Sequence, residues 1–378
     1  MTTDWITRGP ALFSGRDQVE NFRQMSTIYP VRVIRRSSAP SALLAGQAIE
    51  LPKAFEFQGR KLDTAQFLAE METTGLIVVR SDRVVFEDYW LGNDASTQTI
   101  AWSVSKSFVS ALIGIAIHES AIASVEDPVT RYAPELAGGA YDGVRLKDVL
   151  QMSSGVRWNE DYSDPDSDVG VFGRVMASGG SLDAFAARCV RECEPGTFNR
   201  YNSTDTHVLG MVLSRATGRS LSEYLRDKLW RPLGMEADAF WIVDGAGAEM
   251  AAGGLNAVLR DYARLGCCYL GGGVWNGAQV IPKTWVDASI TPDAPHLQPG
   301  VRPNASLPMG YGYQWWLPDD SGAYCAMGVY NQFIWVDPAH RTVIAKSSAF
   351  RQYGTSPRLE SYRVGDHFAL LAAIAGMS

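Results

Sequence analysis

The sequence has no excess of positive charge. Lys and Arg total 34 against 41 Asp and Glu, a formal net charge of −7, and no basic run exceeds Arg35-Arg36. That balance excludes a surface that tracks phosphates, and nucleic acid as a partner with it. Cysteine is also scarce. Cys189, Cys193, Cys267, Cys268 and Cys325 are an odd number without the even, regular spacing of a disulfide framework, so they read as reduced thiols. Cys189 and Cys193 lie one helical turn apart with no histidine at ligand spacing, which points to packing and not to a metal. Nowhere do 18 apolar residues run together, and the first ten residues, Asp4 among them, hold no signal-peptide core. The expectation is a soluble protein kept in the cytoplasm, with no membrane partner. Missing too are a G-x-S-x-G elbow, an H-E-x-x-H pair and a G-x-x-x-x-G-K-[ST] phosphate loop.

What is present is apolar material in quantity. With 46% hydrophobic residues in 378, the chain can bury a large core, and its length suits two domains or one large fold with an insertion. Four prolines break up the first ~60 residues, which read as an arm draped over the body. Residues 76–80 and 84–90, both rich in β-formers, flank the polar turn Ser81-Asp82-Arg83 and predict a hairpin. Residues 102–119 carry Val104, Phe108, Leu112, Ile115 and Ala116 at helical spacing, a helix with one apolar face. From 129 to 248 helical patterns alternate with Gly/Pro/Asp loops, without clear strands. A second hairpin is expected at 332–336 and 342–346, and a closing helix at 368–375. Strands at both ends around helices imply an α+β fold: an antiparallel sheet flanked by helices, with residues 1–101 and 249–378 in one domain and 102–248 in a mainly helical one.

The chemistry-bearing residues begin with Ser103-Val104-Ser105-Lys106. With seven lysines in the chain, chance alone yields roughly half an S-x-x-K, so spacing proves nothing by itself. Context adds weight. The match opens the apolar helix, so Ser103 and Lys106 share a face. Burial and the positive helix end both disfavour an ammonium there, which suits a general base. The free N–H groups of the helix start can also receive an oxyanion. The alternative is an N-cap serine beside a solvated lysine. A second signal is Tyr201-Asn202-Ser203, in a polar loop after Pro195-Gly196 with a helix starting near Thr206. Tyr201 there is either an acid/base or a packing anchor. The five histidines, His118, His207, His296, His340 and His367, show no acid partner at a recognisable spacing and read as structural. Asp161 and Asp164 read as loop residues, Trp315 and Trp316 as core aromatics.

Together, Ser103-x-x-Lys106 at the start of an apolar helix and Tyr201-Asn202-Ser203 after a Pro-Gly turn resemble the serine β-lactamase and penicillin-binding-protein superfamily, in its class C and family VIII esterase branch. Supporting stretches follow in the family's order from about residue 76 to 349. They are Val125-Glu-Asp-Pro-Val129, Leu146-Lys-Asp-Val-Leu-Gln-Met-Ser-Ser-Gly155, Gly253-Gly-Leu255, Asp261-Tyr-Ala-Arg-Leu-Gly266 and Tyr311-Gly-Tyr-Gln-Trp-Trp316. Within the superfamily, Trp102-Ser-Val-Ser-Lys-Ser107, Pro134-Glu-Leu-Ala-Gly138, Tyr141-Asp-Gly143, Asn159-Glu-Asp-Tyr162 and Trp335-Val-Asp-Pro338 look like the 6-aminohexanoate-dimer hydrolases, while residues 170–187 depart from that group.

The resemblance implies a β-lactamase/transpeptidase-like fold and a serine hydrolase working through an acyl-enzyme on small amides or esters, with neither cofactor nor metal. Ser103 would be the nucleophile, Lys106 and Tyr201 the proton carriers, the amides of Ser103 and Val329 the oxyanion donors, and Tyr162 a substrate contact. A carboxylesterase on the same residues and a non-catalytic ligand-binding relative are the alternatives; a homodimer stays open. The sequence departs from the family at its third motif, where Lys/His-x-Gly is replaced by Ala326-Met327-Gly328. Without that cation β-lactams should be poor substrates, unless Arg351 or Arg358 supplies the charge.

Overall fold

The computed structural model describes residues 18–355 and 359–377. Its frame is an eight-stranded sheet. In spatial order the strands are Gly310–Tyr311, Trp316–Leu317, Tyr324–Gly328, Gln332–Asp337, Thr342–Ser348, Thr73–Arg80, Arg83–Tyr89 and Leu44–Ala45. Every pairing is antiparallel except the last, where Leu44 lies beside Arg83 in parallel register. Both expected hairpins form. In the first, Ser81 and Asp82 both take positive φ (47° and 65°), the two-residue turn whose twist suits paired strands.

Helices cover both faces of this sheet. Ile77, Val79, Ile334, Val336, Val343 and Ala345 pack with helix Leu259–Leu270 on one side; Leu76, Val78, Phe333, Trp335 and Ile344 pack with helix Val364–Ala375 on the other. Because alternate residues are buried on opposite faces, the central strands read as continuous apolar runs and not as alternations.

The structure amends three expectations. The arm preceding residue 60 is partly built into the fold: Val31–Ile34 opens a second sheet, in the order Val31–Ile34, Ala239–Ile242, Leu255–Ala257, Thr99–Ile100, and Leu44–Ala45 edges the first. Residues 1–17 of that arm lie outside the described residues. The middle region, mainly helical, does carry the strand Ala239–Ile242, whose four residues are all buried and so leave no alternation to read. Finally, the helix that follows Ser103 has no polar face. A 3₁₀ turn, Trp102–Val104, leads into helix Ser105–His118, and every residue from Ser105 to Ala116 is buried. Its serines and Gly114 occupy the sides where other elements approach closely; a Cβ on Gly114 would fall 2.2 Å from the Trp285 ring.

Candidate active site

Ser103 sits in the 3₁₀ turn, 9% exposed, at the seam between the large sheet and the helical region. Trp102 before it is held at φ +46°, a left-handed conformation that costs a non-glycine residue on the order of 1–3 kcal/mol and turns the chain sharply into the helix. The Ser103 side chain caps neither the turn nor the helix, which removes the N-cap alternative.

One helical turn on, Lys106 is 2% exposed, so it is not a solvated charge either. Its Nζ donates to Ser103 Oγ at 3.1 Å, to Ser203 Oγ at 3.2 Å and to the Ala252 carbonyl at 2.7 Å. Burial pulls this lysine down to about 8, against the opposing pull of the Glu160 and Asp205 carboxylates.

Tyr201 joins the pair from the far side. Lys106 Nζ lies 5.2 Å from the centroid of its ring, and the Ser103 side chain acts on its phenol. Burial, reinforced by the Glu160 charge, pushes that phenol well above its ordinary value and keeps it protonated. The ring stacks on Trp316 at 4.9 Å, so Trp316 flanks the site as well as the core. The helix after Tyr201 begins at Ser203, three residues before Thr206. Asn202 caps it, accepting from the Thr204 and Asp205 amides at 2.8 and 3.4 Å, a signal legible in Asn-Ser-Thr-Asp.

Strand Tyr324–Gly328 ends against the Ser103 turn. A Cβ at Gly328 would come within 2.5 Å of the Ala101 carbonyl, so only glycine lets the strand end approach the turn this closely. Ala326, in the same strand, is buried in the core cluster that also holds Val104. Tyr162 donates to Glu160 Oε1 at 2.5 Å, and its ring meets Tyr353 edge-on at 6.1 Å.

Sequence reasoning missed Glu160, Ser203, Asp205 and the Ala252 carbonyl as members of the site. Ser203 Oγ donates to Glu160 Oε1 at 2.6 Å. Buried Asp205 accepts from Tyr141, Ser154 and Asn202 on one oxygen and is pushed up to about 7 by desolvation. Glu160 and Ser203 each lie in a stretch that carries the resemblance, but no local pattern ties them to each other, since 43 positions separate them. Two histidines have carboxylate partners unforeseen from spacing, His207 with Asp183 and His340 with Asp337, each at 2.8 Å. Neither contacts Ser103 or Lys106.

The Beta-lactamase family model matches residues 63–366. A 6-aminohexanoate-dimer hydrolase from Paenarthrobacter ureafaciens is 31% identical over 357 residues, 90% of this chain and 88% of that protein. Among solved structures, a Bacillus anthracis protein provisionally named a 6-aminohexanoate-dimer hydrolase superimposes with a TM-score of 0.84 at 22% identity, covering 96% of this chain and 95% of that one. An octameric penicillin-binding protein homologue from Pyrococcus abyssi shares the fold at a TM-score of 0.58 and 20% identity, over 82% and 75% of the two chains. A serine-lysine-tyrosine cluster at the seam of an α+β fold and a family match spanning most of the length lead to one conclusion: the chain belongs to the Beta-lactamase family of serine hydrolases.

Proposed function

We propose that the protein hydrolyses small linear amides or esters through an acyl-enzyme on Ser103. The observation that carries this reading is Lys106 Nζ, 3.1 Å from Ser103 Oγ in a site whose burial lowers the amine to about 8. Burial moves the two candidate bases in opposite directions, lowering Lys106 and raising Tyr201, so Lys106 is the base and Tyr201 the acid. Lys106 takes the Ser103 proton as Oγ bonds to the carbonyl carbon, and the amides of Ser103 and Val329 receive the electron pair on the carbonyl oxygen. On collapse the amine or alcohol leaves with the Tyr201 proton, which the Lys106 ammonium replaces. Water then attacks the ester, giving its proton to Lys106, and that proton returns to Ser103 as the acid departs.

The substrate class follows from two supports. The Paenarthrobacter relative is named for a linear amide dimer. Ala326, buried in the core, offers no cation to a substrate carboxylate. Tyr162 presents its ring to the substrate, its hydroxyl proton being spent on Glu160. Esters need no different residue, and a carboxylesterase preference is the second reading. The five free thiols suit a cytoplasmic location.

Intact-mass spectrometry after treatment with a fluorophosphonate tests the function. One adduct, absent from Ser103→Ala, is the expected result; an inert serine would leave a ligand-binding relative without turnover.

A further inference from the structure

We infer that Glu160 is a positioning residue for the base: through the Ser203 hydroxyl it aims Lys106 at Ser103 and favours the lysine's ammonium form. The inference rests on the reading of Lys106 as base. Four donors converge on the Glu160 carboxylate. Oε1 accepts from Ser203 Oγ at 2.6 Å and Tyr162 Oη at 2.5 Å, and Oε2 accepts from the Ser203 amide at 3.2 Å and from Trp158 Nε1. A carboxylate takes about four such bonds, so nothing is left for a substrate. Glu160 is held in place by the protein and acts on what it touches.

What it touches is Ser203. That hydroxyl has one proton and gives it to Glu160, so its oxygen is turned to Lys106 as an acceptor at 3.2 Å. The three acceptors around Nζ, Ser103 Oγ, Ser203 Oγ and the Ala252 carbonyl, match the three protons of an ammonium. The site is thus organised for the state Lys106 reaches after taking the Ser103 proton. The other groups facing Lys106 are the Tyr201 ring and Asp205, which comes from the neighbouring helix and acts through space, one oxygen being taken by Tyr141, Ser154 and Asn202.

Glu160→Gln separates charge from shape. An amide facing the two hydroxyls donates to Ser203, whose own proton then swings toward Lys106, where only a neutral amine can accept it. The readout is the rate at which a fluorophosphonate labels Ser103, followed by intact mass across the pH range of the lysine titration, beside kcat/KM on p-nitrophenyl butyrate. The wild-type midpoint is expected near 8. In Glu160→Gln it falls by about one pH unit or more, and the alkaline plateau drops because a weaker base removes the proton more slowly. Ser203→Ala shifts the midpoint the same way, and adding Glu160→Gln to Ser203→Ala moves it less than Glu160→Gln does alone. A lowered plateau with an unmoved midpoint in both single variants overturns the inference, and so does a full further shift in the double variant. Wild-type enzyme whose Ser103 takes no label would instead overturn the reading of function.

Discussion

At the nucleophile, one oxygen separates chemistry from folding. Ser103 caps no helix, so Ser103→Ala is expected to abolish turnover and leave the thermal midpoint unchanged; activity within threefold of wild type would refute the assignment. Lys106→Ala is expected to lose at least ~10² in rate, with the circular-dichroism spectrum retained. The pH dependence has a definite sign. An ammonium has no lone pair for the Ser103 proton, so activity is present above the lysine's value of about 8 and is lost as pH falls through it. A kcat/KM profile flat into the acid range would point to a carboxylate base.

At the scale of one strand, Thr342–Ser348 is buried at every position, and among the described residues its Lys346 forms no ion pair. The ammonium donates to Ser348, beneath helix Val364–Ala375, whose His367 is itself pushed well below its usual value by burial and by the Lys346 charge. Burial lowers Lys346 from 10.5 to about 7. Between those values the unfolded chain holds a proton that the folded chain has shed, so stability falls as pH drops through this window and levels off below it. Lys346→Met is therefore expected to stabilise the fold by on the order of 1–4 kcal/mol at neutral pH and below, the gain fading above the window. Urea denaturation of both proteins on either side of the window reads this directly; a destabilised variant at neutral pH would show that Lys346 is solvated by internal water.

For the whole molecule, the consequence is substrate choice. The site lies where the large sheet, the helical region and the loop at residues 158–162 meet, and the sheet strand facing Ser103 brings Ala326 in place of a cation. Arg351 does not supply the charge, since it is bound to Glu72, and Arg358 lies outside the described residues. A β-lactam carboxylate would forgo a charge-assisted bond worth about 1.5–3 kcal/mol, roughly 10- to 150-fold in binding. The expected order of rates is p-nitrophenyl butyrate, then linear amide, with negligible nitrocefin cleavage. Amides fall behind because an amine must be protonated before it leaves, whereas an activated alkoxide need not be. Nitrocefin cleaved faster than the ester would overturn this order.

Local features of the sequence were sufficient for the two hairpins, the closing helix, the Ser103-x-x-Lys106 spacing and the Tyr201 loop, because turn chemistry, helical period and motif spacing act over a few residues. The order of the eight strands came only with the tertiary structure, since central strands buried on both faces show no alternation and pair with partners hundreds of residues away. So did the burial of the Lys106 helix on all sides: a helix ringed by other elements tolerates small polar residues wherever a neighbour comes close, and the sequence alone reads these as a solvent face. The chain from Lys106 through Ser203 to Glu160 belongs to the same class. Each of its links spans between 43 and 97 positions, and a hydrogen bond across such a distance leaves no trace in local pattern; only folding brings the groups within reach of one another.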